Sequence, residues 1–137
     1  MLNPVRRVDK PWGYELVFAH TDRYVGKILH VDAGHALSLQ FHQKKDETLY
    51  LAAGSLEFQV EEDGELVTRE LRLGEAYHIP PFTRHRMIAG PEGCTFLESY
   101  AGDVTATVED HAGFERLLAE RGVTMLAGGD LQPIEEA

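Results

Sequence analysis

Between residues 13 and 100 the chain breaks into short runs of β-forming residues, each closed by glycine, proline or aspartate. That punctuation restricts the fold to a sandwich or barrel of many short strands. Tyr14 to Phe18 is one run. Val25 to Val31 is the next, with Val25, Lys27, Leu29 and Val31 on one face and Gly26, Ile28 and His30 on the other. After the Asp32-Ala33-Gly34 turn, Ala36 to His42 reads as a third strand and Thr48 to Ala52 as a fourth. Ala53-Gly54 turns into Leu56 to Val60. Glu61-Glu62-Asp63-Gly64 is a hairpin, because Asp-Gly accepts the positive φ of a tight turn, and Val67 to Leu71 returns from it. Ala76 to Ile79, His85 to Ala89 and Thr95 to Tyr100 complete the set.

The only helical pattern comes late. His111 to Arg121 carries Phe114, Leu117 and Leu118 at helical spacing and meets a stop at Gly122. Residues 126–137 are rich in Gly, Asp and Glu and read as a loose tail. The expected organisation is therefore one domain over residues 1–137, with a barrel over about 8–102 and a helix over about 111–121. A length of 137 residues suffices for one core. No apolar run reaches the roughly 20 residues of a spanning helix. The first residues, Met1 to Arg7, lack the apolar stretch of a signal peptide, and a single cysteine, Cys94, rules out an internal disulfide. A cytoplasmic setting is the expectation. The net charge of −10 argues against a nucleic-acid or acidic-membrane surface, though not against a small anion held by a local basic group.

Polar residues concentrate in two segments. Gly34 is followed by five residues and then Gln40-Phe41-His42; Glu47 and Gly54 come later. Strand alternation puts Gln40 and His42 on one face, and Glu47 opens the next strand. In the second segment Gly74 precedes Pro80 by six positions, and His85 lies five beyond it. If the two segments pair, Gln40, His42, Glu47 and His85 form a ligand set for one divalent ion. Imidazole and carboxylate suit Zn, Mn, Fe, Co or Ni, and an amide oxygen is a weaker hard ligand. Such a set leaves positions open for water or substrate.

These two segments resemble the two cupin motifs, with Gln40 at the first histidine position, Phe82 where the second motif has glycine, and Ala89 where it has asparagine. Lys10-Pro11-Trp12-Gly13-Tyr14-Glu15, Lys27, Leu37 to His42, Ile79-Pro80 and His85-Arg86 further resemble the C-terminal domain of type II mannose-6-phosphate isomerases, over about residues 8 to 116. The resemblance implies a small jelly-roll barrel, one metal ion, a sugar-phosphate substrate and a homodimer. That family usually carries His-Arg-Ala-Glu-His-Trp around the glutamate ligand, where this chain reads Lys44-Lys45-Asp46-Glu47-Thr48-Leu49. An arginine tied to the isomerase chemistry is thus Lys45, and the two side chains are not equivalent where a planar bidentate contact is needed.

Other residues take readings from position. Lys27 is in phase with Leu29 and so faces inward, as a substrate-anion or proton-transfer group or as the ion-pair partner of an acid such as Glu98. Glu98 shares a face with Phe96 and Tyr100 and is a candidate base. Arg84 and Arg86 flank His85, where they can reach a phosphate or form rim salt bridges. Lys45 is a further substrate-binding candidate, although Lys44 and Lys45 also read as a solvated loop. His78, close to Pro80, can support the ligands, and Trp12 and Tyr14 cap the barrel or a subunit contact. Cys94 reads as an inert turn residue. Three functions fit: a metal-dependent aldose–ketose isomerase, an iron-dependent oxygenase, and a metabolite-binding module without catalysis.

Overall fold

A computed structural model describes residues 1–104, 123–125 and 131–133 of the protein. All regular structure among them is β. The strands are β1 (Arg6–Lys10), β2 (Gly13–His20), β3 (Tyr24–Val31), β4 (Asp46–Glu62), β5 (Glu65–Leu71), β6 (Ala76–Ile79), β7 (His85–Ala101), β8 (Val123–Met125) and β9 (Leu131–Pro133). β1 to β7 form one antiparallel sheet in the order β1-β2-β3-β7-β4-β5, with β6 paired to β4. No helix of the described residues is long and apolar enough to cross a membrane. The helix expected over His111 to Arg121 lies outside the described residues. So does most of the expected loose tail, although Leu131–Pro133 within it pairs with Val123–Met125.

β4 and β7, of 17 residues each, serve both halves of the sheet. The first half of β4 pairs with the end of β7, and its second half with the start of β7. The ladder breaks between them, where Gly54 faces Cys94 and Leu56 faces Ala89, leaving Gly90–Gly93 as an excursion. Two strands expected on either side of Ala53-Gly54 are thus one strand with a corner. An alanine at Gly54 (φ +76°) would place its Cβ 2.1 Å from the Gly93 carbonyl oxygen, so the chains can cross only at glycine. Folding there turns the inner faces toward each other. Leu29, Leu49, Leu51 and Phe96 of one half pack with Leu56, Phe58, Val60 and Met87 of the other, and Trp12 joins the same core. This is the all-β jelly-roll barrel: the strand pattern implied a sandwich or barrel, and the family resemblance the jelly roll.

The expected strand Ala36 to His42 is not a ladder strand. It runs beside the start of β7 through bridges at Ala36↔Ile88 and Gln40↔His85. Leu37 and Leu39 are buried, so side-chain alternation survives without continuous pairing.

Candidate metal centre

The two motif segments meet through their backbones. The Gln40 amide donates to the His85 carbonyl (2.8 Å), the His85 amide to the Gln40 carbonyl (3.0 Å), and the Phe82 amide to the His42 carbonyl (2.7 Å). Glu47, inward on β4, reaches the same space. The side chains of His42, Glu47 and His85 offer ligand atoms that all lie within 4.8 Å of one another. His85 Nε2 is 3.0 Å and His42 Nε2 3.9 Å from Glu47 Oε1. Gln40 Oε1 lies 3.2 Å from His42 Nε2, on the edge of the cluster.

The donor set fits a metal ion. His85 Nδ1 donates to the Thr83 carbonyl at 2.8 Å, which leaves the Nε2 lone pair facing the cluster. His85 Nε2 and Glu47 Oε1 are close enough to attract but lack hydrogen-bond geometry. They and Glu47 Oε2 are buried side-chain atoms without a hydrogen-bond partner. Three such atoms converging at one point are costly unless a cation satisfies them.

Electrostatics agree at His42 and Glu47, while at His85 they favour a proton that a bound ion would displace. Burial, followed by the neighbouring Lys45 ammonium, pushes the His42 imidazole down to about 4, so it is neutral with a lone pair to give. Burial opposes the charge of Glu47, but the adjacent His85 and the contact with Glu98 outweigh it and hold this carboxyl well below its usual range. For His85 burial works against the charged form, and Glu47 overcomes it to raise the imidazole.

Behind the candidate ligands lies a buried layer of charge. Lys45 Nζ is 3.3 Å from Glu98 Oε1 and stands 3.9 Å from the centre of the Tyr100 ring. Lys27 Nζ is 3.4 Å from Glu15 Oε1, with both side chains about 95% covered (6% and 5% exposed). Burial raises the Glu98 carboxyl to about 7, with Lys45 pulling it down and Glu47 adding to the rise. Burial disfavours the Lys45 ammonium, yet Glu98 and Glu47 hold it above its ordinary range.

Lys45 is therefore no solvated loop residue. The carbonyl of Lys44 lies against Gly102, where a Cβ would come within 1.9 Å of it, and this tight pairing at the end of β7 turns Lys45 inward. Lys27 faces inward as expected, but its carboxylate is Glu15 rather than Glu98. Arg84 is held by Glu61 at 3.0 Å, and Arg86 alternates with inward His85, so neither joins the cluster. His78 is an exposed residue paired with Asp46, away from the ligands. Cys94 is a buried strand residue, not a turn residue. Glu15 was missed by sequence reasoning. Its signal was its phase with Val17, which places a carboxylate on the inner face of β2.

The family model described as mannose-6-phosphate isomerase C-terminal matches residues 2–100. No curated protein matches the chain. Among solved structures, KdgF from Halomonas sp. superposes with a TM-score of 0.65 at 21% identity, over 75% of this chain and 93% of KdgF. A mutant of Bacillus subtilis oxalate decarboxylase OxdC gives 0.69 at 20% identity, over 88% of this chain and 35% of the other. CapF, solved with the inhibitor 3-isopropenyl-tropolone, gives 0.65 at 17%, over 73% and 31%. This chain thus spans about a third of the length of the latter two. The likeness at these identities is one of fold, and the fold is the cupin barrel.

Proposed function

The chain belongs to the mannose-6-phosphate isomerase C-terminal family, and from that premise we propose that it is a metal-dependent aldose–ketose isomerase acting on a sugar phosphate. The carrying observation is the convergence of Glu47 Oε1, Glu47 Oε2 and His85 Nε2, buried and without hydrogen bonds, beside His42. His42, Glu47 and His85, with Gln40 at their edge, would hold one divalent ion. Bound there, the ion supplies Lewis-acid stabilisation to a substrate carbonyl and its neighbouring hydroxyl. Exchange of aldose for ketose takes a proton from one carbon and returns it to the next, while a hydroxyl proton moves to the former carbonyl oxygen. In this reading Glu98 carries the carbon proton on a carboxylate oxygen, and Lys45, 3.3 Å away, fixes its orientation. Burial of both side chains keeps bulk water from exchanging that proton.

One observation favours a second reading, a metabolite-binding module organised by the metal. Both interior lysines already face carboxylates, Lys27 on Glu15 and Lys45 on Glu98, which suits a neutral ligand better than a phosphate.

Elemental analysis of the purified protein beside His42→Ala and His85→Ala comes first, followed by anaerobic assays of mannose 6-phosphate with zinc, manganese and cobalt. The expected result is about one ion per wild-type chain, lost in both variants, with turnover that Glu98→Gln lowers about 10²–10⁴-fold while keeping the metal. Metal with tight ligand binding but no turnover selects the binding module. Turnover of a substrate only with iron and oxygen selects an oxygenase. A wild-type chain that takes up no metal on reconstitution overturns all three.

A further inference from the structure

A residue with a Cβ avoids the left-handed backbone region, so turns that need it take glycine or a short polar residue. Among the described residues, two that are not glycine have positive φ. Asp63 (φ +52°) sits in a hairpin turn, where aspartate is ordinary. Phe82 (φ +64°) is not ordinary, because a bulky side chain held there is strained. The core gains little from it: Phe82 is 59% exposed and meets Phe41 at 5.9 Å between ring centres, the planes inclined by 67°. Its backbone is pinned to the metal centre on both sides. The Phe82 amide donates to the His42 carbonyl (2.7 Å), and the carbonyl of the next residue, Thr83, accepts from His85 Nδ1 (2.8 Å). The cluster is closed at Glu47 and His85, whose side chains are each 1% exposed. It is open at His42, 15% exposed, with half-buried Gln40 beside it. The strained, exposed ring thus stands on the open side of the candidate metal centre.

We propose that Phe82 is a ligand-binding residue, the platform against which a sugar held at the metal centre lays one face of its closed pyranose ring. Strain and exposure together disfavour a phenylalanine at this position, and a ligand that covers the ring offsets both. The chemistry of the surroundings selects the class of ligand. An aromatic face carries partial negative charge and attracts the polarised C–H groups on one face of a pyranose. The hydroxyls around the edge of the same pyranose find polar partners at the opening, in Gln40, His42 and the ion they would hold. A wholly apolar ligand would cover the ring but leave those polar groups without partners. An open-chain sugar presents no continuous C–H face, so it can use the ion but not the ring. Phe41, 9% exposed, backs Phe82 and limits its swing. Where the motif that this loop resembles has glycine, no such platform exists, so Phe82 belongs to the specificity of this chain. The inference rests on the reading of the cluster as a metal centre that takes a sugar, and not on turnover there.

Calorimetric titration of the full-length, metal-loaded chain tests it with three probes. These are mannose 6-phosphate, methyl α-mannopyranoside 6-phosphate, whose ring is locked shut, and mannitol 6-phosphate, which has no ring to close. Phe82→Gly should weaken binding of the two ring probes at least about tenfold and leave mannitol 6-phosphate unchanged, and Phe82→Tyr should keep the wild-type affinities. Because glycine is at ease at φ +64°, Phe82→Gly should unfold at or above the wild-type temperature, with its metal content intact. A merely structural role predicts the reverse, a less stable protein that binds all three probes equally poorly, and that result overturns the proposal. So does unchanged binding of the locked ring by Phe82→Gly, or a wild type that binds neither ring probe at millimolar concentration, with or without metal. The isomerase reading fails separately. Binding of the locked ring that depends on Phe82, without turnover of mannose 6-phosphate, refutes the isomerase and keeps the platform. Turnover with the same KM in the wild type and Phe82→Gly does the opposite.

Discussion

Lys45 and Glu98 hold each other in the interior, 9% and 8% exposed, and neither has a route to water without breaking the pair. Removing one member of such a pair strands a charge, whereas removing both removes the problem. Lys45→Met and Glu98→Leu should therefore each cost about 3–5 kcal/mol in urea unfolding, and the double variant should recover most of that loss. A double variant as unstable as the sum of the singles would mean the pair is not coupled. A second residue-scale prediction concerns Cys94. Burial raises its thiol to about 11, against a small lowering by its backbone hydrogen bond with Val31. The folded value exceeds the unfolded one, so this contribution to stability is complete below about pH 9 and is lost as pH rises through about 11. Alkylation at pH 8 should be roughly a hundredfold slower in the folded protein than in urea, since only the thiolate reacts. Cys94→Ala should flatten the alkaline limb of the stability curve. The convergence of His42, Glu47 and His85 was legible because spacing and alternation are properties of the chain itself. The partners of Lys27 and Lys45 were not, because Glu98 is in register with Lys27, yet Lys45 enters from the loop before β4 and takes it.

Elements were legible where turn chemistry is strong and illegible where a strand bends. The Glu61–Gly64 hairpin is where the Asp-Gly signal put it, with Asp63 at φ +52° and Gly64 at φ +82°. The Ala53-Gly54 signal is chemically similar but marks a corner within β4, because whether glycine turns a chain back or lets two chains cross depends on what lies across from it. Paired substitutions separate the two cases. At Gly64 nothing lies within 4 Å of a new Cβ, so Gly64→Ala should cost only the left-handed backbone penalty of about 1–2 kcal/mol. Gly54→Ala should cost clearly more, since it adds the collision with Gly93, and chemical denaturation of both variants reads the difference directly. Equal losses would show that the corner relaxes freely. Phe82 is the converse case. It has φ +64° where the motif it resembles has glycine, so the backbone has kept the turn although the residue changed. The segment 36–42 keeps strand-like alternation with two bridges, and no sequence signal separates that from a ladder strand.

At the scale of the whole molecule, the cluster joins three parts of the chain: the segment before β4, the start of β4 and the start of β7. The interior holds Glu15, Glu47 and Glu98 against Lys27 and Lys45, with His85 among them. Counted formally, three carboxylates against two ammonium groups leave one negative charge, which the His85 imidazole, raised by Glu47, offsets when it holds a proton; a divalent ion in that proton's place would bring two positive charges. Binding that requires the folded arrangement must stabilise it by mass action. At an ion concentration about 100 times the dissociation constant, the wild type should gain about 2.7 kcal/mol over the chelated protein. His85→Ala should unfold at the same point with and without the ion, because it removes the ligand that joins the two halves of the sheet at β7. Thermal unfolding in chelator, and then with zinc or manganese titrated in, measures both. A wild type indifferent to every ion would show that Glu47 and His85 satisfy each other by sharing a proton, and that the spacing of these residues serves a polar core rather than a metal.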